Sequence, residues 1–406
     1  MKILGIETSC DETAAAVVCD GCEILSNVVV SQIDIFAEYG GVIPEVAARS
    51  HLEVMMPVVE KALLDAGCSW DDIDAIAVTH APGLLGSLLI GTLTARTLAI
   101  LHDKPLYAVH HLKSHVYANW LNAGRADAKP ISSDAGLEFL STSYAGTRAE
   151  PSLRDEPVRS GRNIRVKNSN QTFMHPREIG LAARTPSFPI LALVVSGGHT
   201  QILYMPAHNQ FEIIGTTHDD AVGECFDKVA KILGLSYPGG PAIAKAALSG
   251  DANKYRLPHP KVEGLDFSFS GLKTAVLRAV QKEVGVPISY PSHQLKDLLT
   301  EQQVCDFAAS FQKTAVEILC EKLELALEQY PEVQSVVVAG GVSANEELRK
   351  RFGIAFSNLS VFFPFTSLSG DNGAMVAAAC YYEIQSGVEP MDPYRLNIYP
   401  RISIEK

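Results

Sequence analysis

The sequence predicts an α/β protein with mixed sheets that is built from a duplicated unit. Two segments, 2–18 and 189–204, share a pattern in which an apolar run stops at small and hydroxyl residues before apolar residues resume. This pattern is typical of a strand, a polar turn and a second strand. Helical segments lie between these turns, and alternating strands and helices indicate an α/β class. Because one hairpin opens each half of the chain, we expect a duplicated fold with facing phosphate-binding turns.

Two helices are predicted between the first hairpin and residue 106. Residues 41–64 have apolar positions at helical spacing, and 83–101 is the most apolar helix candidate of the chain. Glycine, serine, threonine and arginine interrupt the second segment. It is therefore predicted to be a buried helix and not a membrane span.

The segment 106–120 is the most informative one for function. It predicts a short strand that runs into a helix with His111 and His115 one turn apart. Side chains at i and i+4 share a helix face, so both imidazoles can reach one metal ion. A zinc peptidase of the H-E-x-x-H type would have glutamate at the position of Leu112, which argues against peptide hydrolysis. A pair of core histidines is the alternative interpretation.

Residues 123–188 interrupt the α/β pattern. They are rich in Ser, Arg, Gly and Asn and have few large apolar residues. This composition predicts an inserted, partly disordered segment. Its clustered basic residues are compatible with RNA contact or partner docking, although a solvated insert without function is the favoured interpretation.

Three elements are predicted after the second hairpin. The longest is an amphipathic helix over 301–330. Residues 335–345 predict a buried strand that ends in Gly340-Gly341, followed by a helix whose N-terminus favours negative charge. Near the end, Asp371 and Asn372 precede a small-residue helix, where Asp371 is either a metal-binding carboxylate or part of a helix cap.

Composition and charge limit the class of protein. The chain has 406 residues, 47% of them hydrophobic, which favours two domains of a soluble globular protein. Its first residues do not predict a signal peptide, and its eight scattered cysteines argue against a disulfide framework. We therefore expect a cytoplasmic protein that does not bind membranes. The net charge of −12 counts against a broad nucleic-acid surface, so any nucleic acid must meet a local basic patch or a partner.

Ten motifs together resemble the TsaD/OSGEP family, the tRNA adenosine threonylcarbamoyltransferase subunit of the ASKHA superfamily, in a bacterial-type form. They occur in the family's order and cover nearly the whole chain except the insert. In chain order they are residues 5–13, 40–51, 82–88, 110–115, 194–200, 219–230, 237–241, 267–273, 339–345 and 371–372.

The resemblance implies a domain arrangement and a reaction. The fold would be two duplicated RNase H-like lobes, 1–122 and 189–406, with the active site in the cleft between them. It also allows the final helix to pack on the N-terminal lobe. The reaction would transfer threonylcarbamoyl from threonylcarbamoyl-AMP to N6 of adenosine 37, in tRNAs that read codons beginning with A.

The resemblance also implies ligands and site residues. His111, His115 and Asp371 match metal ligands for iron or zinc. Substrate binding is carried over to Thr8, Ser9, Val194, Val195, Ser196, Gly197, Gly198, Asp227, Gly240 and Asn345. The first seven of these belong to the phosphate turns, and the last three match residues that hold the adenosine. ATP or ADP is a further candidate ligand.

Asp11 and Glu12 are the candidate acid/base pair. The exocyclic amine of adenine is a poor nucleophile, so a carboxylate that takes its proton would assist attack. We favour Glu12 as the base. The alternative is that both are solvated turn residues.

The implied partners are tRNA, a TsaB-like paralogous subunit and a TsaE-like ATPase, and activity is expected to require partner proteins. Segment 41–64 resembles the face that pairs with the paralogue, although it could be an ordinary core helix.

Three other functions remain open on the residues alone. They are an ASKHA-type small-molecule kinase or ATPase, a metalloprotease and an inactive paralogue.

Overall fold

The computed structural model describes residues 1–37, 39–121, 166–167 and 185–405. The predicted insert, 123–188, thus lies outside the described residues except for a two-residue strand and residues 185–188. The proposed boundaries between the two lobes and the insert stay a prediction.

The first sheet is built from the first half of the chain. Its strands are β1 (Lys2–Glu7), β2 (Glu12–Cys19), β3 (Glu23–Ser31), β4 (Ala75–Ala81), β5 (Leu106–His110) and β6 (Val166–Lys167). They lie in the order β5-β4-β1-β2-β3-β6. β1, β2 and β3 form an antiparallel meander, whereas β4 and β5 run parallel to β1.

The second sheet repeats this topology. Its strands are β7 (Ile190–Val195), β8 (Thr200–Met205), β9 (Glu212–Thr216), β10 (Ser335–Ala339) and β11 (Ser360–Phe362). The order β11-β10-β7-β8-β9 matches that of the first five strands, with the same parallel and antiparallel pairs. The predicted duplicated α/β fold is therefore confirmed.

Helices connect and cover the sheets. They are α1 (Ile33–Ala37), α2 (Pro44–Ala66), α3 (Leu85–Leu101), α4 (His111–Tyr117), α5 (Val222–Leu233), α6 (Gly239–Ala247), α7 (Ser270–Glu283), α8 (Glu301–Gln329), α9 (Glu346–Ala355) and α10 (Gly373–Gln385). The long helix predicted over 301–330 is α8, which begins with a capping box between Thr300 and Gln303. Among the described helices none is long and apolar enough to cross a bilayer.

The prediction that α3 is buried was wrong for one of its faces. Leu85, Leu89 and Leu93, spaced four residues apart, are exposed, while Leu88, Ala95 and Leu98 are buried. The sequence could not distinguish these faces because both are apolar. A helix that is hydrophobic all round is normally enclosed on every side, so the exposed stripe requires an explanation.

The two faces of β1 belong to different cores. Leu4 and Ile6 pack in the cluster that contains α2, whereas Ile3 packs in the cluster that contains α10. This alternation follows from the two-residue period of a strand. The second cluster also contains α4 and residues of β7 and β10, so α4 and α10 lie between the two sheets.

Glycines allow α10 to approach β1 closely. A Cβ on Gly5 would lie 2.2 Å from the carbonyl oxygen of Gly373 and 2.7 Å from the amide nitrogen of Ala377. A Cβ on Gly373 would lie 2.6 Å from the amide nitrogen of Ala16. Backbone atoms cannot yield as a side chain can, so any larger residue must displace the helix.

We expect Gly5→Ala to lower the free energy of unfolding by about 1–3 kcal/mol, because the added methyl group overpacks this contact. The control is Gly353→Ala, within α9, where a Cβ meets nothing within 4 Å. This control should be neutral or stabilise by about 0.5–1 kcal/mol. Urea and thermal unfolding of both variants check the prediction, and an unchanged midpoint for Gly5→Ala would contradict it.

Candidate metal centre and nucleotide cleft

Three predicted metal ligands meet where α4 and α10 begin. His111 and His115 lie one turn apart on α4, and Asp371 precedes the N-cap of α10. Their candidate ligand atoms all lie within 4.8 Å of one another. Nε2 of His115 is 3.1 Å, and Nε2 of His111 is 3.6 Å, from Oδ1 of Asp371. Asn372 is the helix cap, since its Oδ1 accepts a hydrogen bond from the Met375 amide.

The burial of His115 supports a metal ion at this position. The residue is 1% exposed, and within the described part of the chain its Nε2 has the 3.1 Å contact to Oδ1 of Asp371 but makes no hydrogen bond. A buried polar atom without a hydrogen bond is costly. A cation between the two histidines and Asp371 would satisfy Nε2, and this donor set fits a divalent transition metal.

The ionisation of the cluster reflects its burial and its charges. Burial lowers the pKa of His111, but the carboxylates of Asp371 and Glu7 outweigh it and raise that pKa to about 9. Burial raises the pKa of Asp371, but the imidazoles of His111 and His115 lower it to about 2. The cluster therefore attracts positive charge, here in the form of a proton on His111.

A buried carboxylate that the sequence analysis did not select supports His111. Glu7, at the end of β1, is 0% exposed, and its Oε2 lies 3.1 Å from Nδ1 of His111. Thr79 donates to the same oxygen at 2.6 Å, and the Ser9 amide donates to Oε1 at 2.5 Å. In the sequence, Glu7 is recognisable only as an acidic residue at the end of an apolar strand. That feature does not predict a role at the metal centre, because the contact with His111 is tertiary.

One cleft of about 1890 Å³ brings most of the predicted site residues together. The N-terminal turn and the turn after β7 line it from opposite halves of the chain. The predicted residues along its wall are Ser9, Asp11, Glu12, His111, Ser196, Gly197, Gly198, Asp227, Gly240, Asn345 and Asp371. The predicted juxtaposition of two hairpin turns is thus present.

Three predicted substrate-binding residues do not line this cleft. Val194 and Val195 are fully buried in β7, so their side chains hold the strand that supports the turn. Thr8 is also fully buried, and its hydroxyl donates to the carbonyl of Ser87 at 2.9 Å. The motif match selected these positions, but only the tertiary contacts show which side chains are enclosed.

The turn after β7 is shaped by close backbone contacts. Gly197 and Gly198 are exposed, and a Cβ on either would meet nothing within 4 Å. Gly340 has a φ of 89° and lies against Val195, whose carbonyl oxygen would be 2.5 Å from an added Cβ. An L side chain is therefore disfavoured at Gly340 by both conformation and space.

Asp227 and Asn345 form the far side of the cleft. Asp227 accepts a hydrogen bond from the Gly239 amide at 2.7 Å, and burial raises its pKa despite that bond. Asn345 caps α9 by accepting from the Leu348 amide, and its Nδ2 donates to Gln312. Both side chains are thus held in position by the protein itself.

The turn that carries Asp11 and Glu12 is fixed by α2. Nε2 of His51, which is fully buried, lies 3.0 Å from the Cys10 carbonyl, and its Nδ1 lies 2.7 Å from Oγ1 of Thr13. Ser31 donates to Oε1 of Glu12 at 3.2 Å.

Two further parts of the cleft were not predicted from the sequence. His199, in the turn after β7, lines it, and burial together with the charges of His111 and His115 lowers its pKa to about 4. The C-terminal residues 400–404 form another wall, because the Gly83 amide donates to the Pro400 carbonyl and Ile404 is buried between the sheets. The sequence of this tail contains no signal for that position.

We expect His115→Ala to weaken binding of a divalent transition metal more than about 100-fold, because loss of a supporting group alone costs 10–100-fold. His293→Ala, at an exposed position away from the cleft, is the control and should bind as the parent protein does. Competition with a chromophoric chelator measures both affinities. Equal affinities would exclude His115 as a ligand.

Comparison with known proteins agrees with the predicted family. A family model described as "TsaD: tRNA N6-adenosine threonylcarbamoyltransferase" matches residues 23–134 and 170–378. A tRNA N6-adenosine threonylcarbamoyltransferase of Symbiobacterium thermophilum is 43% identical over 389 residues, which are 95% of this chain and 92% of that protein. One of Caldicellulosiruptor bescii is 40% identical over 407 residues, which are 100% of this chain and 98% of that protein.

Among solved structures, T. kodakarensis HypF aligns with a TM-score of 0.51 at 14% identity. The alignment covers 95% of this chain and 48% of HypF. A likeness at this identity concerns the fold alone, and it agrees with the predicted ASKHA fold. Because the family model matches most of its length and relatives of 40% identity or more cover nearly all of it, this chain belongs to the TsaD family of tRNA N6-adenosine threonylcarbamoyltransferases.

Proposed function

We propose that this chain transfers a threonylcarbamoyl group from threonylcarbamoyl-AMP to N6 of adenosine 37, in tRNAs that read codons beginning with A. The observation that carries the proposal is the meeting of His111, His115 and Asp371 at a cleft lined by both hairpin turns. Membership of the TsaD family supports the reaction. A cleft of about 1890 Å³ exceeds the volume of an ordinary ligand pocket, which leaves room for a nucleotide and an incoming base.

The donor nucleotide would lie across the cleft. Ser9, Ser196 and the open amides of Gly197 and Gly198 supply hydrogen-bond donors for its phosphate. Asp227 would accept from the ribose hydroxyls, because its carboxylate faces the cleft. Gly240 has no side chain to obstruct the sugar, and a Cβ there would meet nothing within 4 Å.

Asn345 would contact the base or the ribose of the donor. Its two amide atoms already bond to Leu348 and Gln312, so only the remaining donor and acceptor capacity of the amide is open to a ligand. Thr8, Val194 and Val195 would act by holding the turns, since they are buried.

Fe²⁺ or Zn²⁺ would be held by His111, His115 and Asp371, with positions left open for substrate oxygens. When bound, the ion would supply Lewis-acid polarisation and orientation of phosphate or carbamoyl oxygens. Which of the two metals is bound stays a prediction.

Asp11 and Glu12 would handle the proton of the attacking amine. As N6 attacks the carbamoyl carbon, the bond from that carbon to the AMP oxygen breaks and AMP leaves. N6 must then lose a proton, and a carboxylate on this turn can accept it. We favour Glu12, whose Oε1 is already oriented by Ser31. Asp11 would act as the second carboxylate of the pair.

A single-turnover assay tests the transfer. The chain, its bacterial-type partner subunits, threonylcarbamoyl-AMP and an ANN-decoding tRNA are mixed, and nucleoside mass spectrometry detects N6-threonylcarbamoyladenosine. We expect no product with His111→Ala or Asp371→Ala, and full product with His293→Ala. Glu12→Gln should lower the rate about 10²–10⁴-fold, because it removes the general base. Undiminished product from Asp371→Ala would contradict the metal role.

The alternative, a small-molecule kinase or ATPase on the same fold, finds no support among the relatives, which are named as threonylcarbamoyltransferases. Binding of ATP or ADP in the cleft remains a prediction. A chain that binds the donor without forming product, while a known relative is active under the same conditions, would favour the alternative.

The exposed apolar surface of α2 and α3 supports a paralogous TsaB-like partner. We name this the α2–α3 surface; its residues are Leu52, Met56, Leu85, Leu89 and Leu93. The two helices are in contact, since a Cβ on Gly86 would lie 3.0 Å from Cβ of Ala48. A contiguous exposed apolar surface on a globular protein marks an interaction site. The sequence interpretation of 41–64 as an ordinary core helix explains only its buried face.

A TsaE-like ATPase and tRNA are the other proposed partners. A net charge of −12 is unfavourable for binding a polyanion over a wide surface. We therefore expect the chain alone to bind and modify tRNA poorly. A partner would provide part of the contacts with the tRNA. A cytoplasmic location likewise stays a prediction.

We expect Leu52→Glu together with Met56→Glu to weaken binding of the paralogous subunit at least about 100-fold, because two charges would be desolvated in an apolar interface. The control is Ile354→Glu on α9, since Ile354 at 66% exposure matches Leu52 at 69% but lies on another surface. Isothermal titration calorimetry or analytical ultracentrifugation measures the dissociation constant. Equal weakening by the control would point to a nonspecific effect.

A further inference from the structure

We propose that Glu7 is a positioning residue that fixes the orientation and tautomer of His111, so that Nε2 of this imidazole faces the metal position. The inference deepens the proposed metal-dependent function and rests on it. It concerns a residue at the end of β1 that is not among the three candidate ligands.

The hydrogen bonds around Glu7 identify it as an acceptor. Its two oxygens receive the Ser9 amide, the Thr79 hydroxyl and Nδ1 of His111, at 2.5, 2.6 and 3.1 Å. Three donors converging on two oxygens is the pattern of a carboxylate, because a carboxylic acid would need an acceptor of its own. The side chain is 0% exposed, so no solvent competes for these bonds.

An acceptor at Nδ1 determines which nitrogen is free to bind a metal. Neutral imidazole carries one N–H, and a carboxylate facing Nδ1 keeps the proton there. The lone pair is then on Nε2, which is the nitrogen of His111 that points towards Asp371, 3.6 Å away. The hydroxyl of Ser9 also lies 3.1 Å from Nδ1. Because a hydroxyl can donate or accept a hydrogen bond, it is compatible with a proton on Nδ1.

His115 differs in this respect, which makes Glu7 the more important. Nδ1 of His115 has no hydrogen-bond partner among the residues that the structure describes. His115 is thus held by packing and by the contact of its Nε2 with Asp371, whereas a buried carboxylate also faces Nδ1 of His111. Carboxylate–histidine–metal arrangements orient the ring and raise its basicity as a ligand.

Charge balance provides a second argument. Glu7 and Asp371 place two carboxylates on either side of His111. A buried charge is tolerated when it is paired, and two carboxylates match the charge of one divalent cation. The two carboxylates come from distant parts of the chain: β1 supplies Glu7, and the segment before α10 supplies Asp371.

The test measures Zn²⁺ affinity of Glu7→Gln by competition with a chromophoric chelator. Glutamine keeps the size of the side chain but can donate from its amide to Nδ1, which would favour the wrong tautomer. We expect affinity to fall about 10–100-fold. Thr79→Val is the matched control, since it disturbs the same buried network but leaves the acceptor of Nδ1 in place. It should bind Zn²⁺ within about threefold of the parent protein, whatever its stability.

Two measurements keep the inference testable if Glu7→Gln does not fold. Glu7→Asp retains the charge but retracts the carboxylate, and we expect an intermediate loss of affinity. In the parent protein loaded with Zn²⁺, ¹⁵N–¹H spectra of labelled histidine should show the His111 proton on Nδ1. A proton on Nε2, or parental Zn²⁺ affinity in a folded Glu7→Gln, would overturn the inference. A parent protein that binds no Zn²⁺ or Fe²⁺ would instead contradict the metal part of the proposed function.

Discussion

The close packing of α10 on β1 is the contact on which the candidate metal centre depends. Gly5 and Gly373 leave no room for a Cβ between the strand and the helix. This approach places Asp371, from the end of the chain, beside His111 and His115 on α4. If the helix moved outwards by the width of a methyl group, Asp371 would withdraw from the imidazoles, and close packing offers few ways to compensate.

The same contact makes the site electrostatically distinctive. Glu7 is fully buried and Asp371 is only partly exposed at the wall of the cleft, so each charge interacts more strongly than in water. The imidazoles offset these charges in the protein alone, and a divalent cation would do so more completely. The surrounding cleft is built from both halves, so one wall can hold an anionic nucleotide while another holds the metal.

The α2–α3 surface and the cleft are connected by α2. Leu52 and Met56 are exposed on its outer face, whereas the adjacent His51 is buried and holds the turn that carries Asp11 and Glu12. One helix thus carries part of the proposed partner surface and also supports the turn that lines the cleft. Because a net charge of −12 is repelled by the phosphates of a nucleic acid, such a partner would help the chain to contact it.

The sequence by itself determined the two hairpins, the strands that precede α4 and α9, most helices, the duplication and the family, because apolar periodicity and ordered motifs are local in the chain. It did not predict β3, β4, β6, β9 or β11. It also selected the three candidate ligands, because His111 and His115 share one helix face and the family resemblance adds Asp371. Only the tertiary structure decided that Thr8, Val194 and Val195 are enclosed, that one face of α3 is exposed, and that Glu7 contacts His111. These features depend on which surfaces of distant segments meet, and neither residue type nor spacing encodes that meeting.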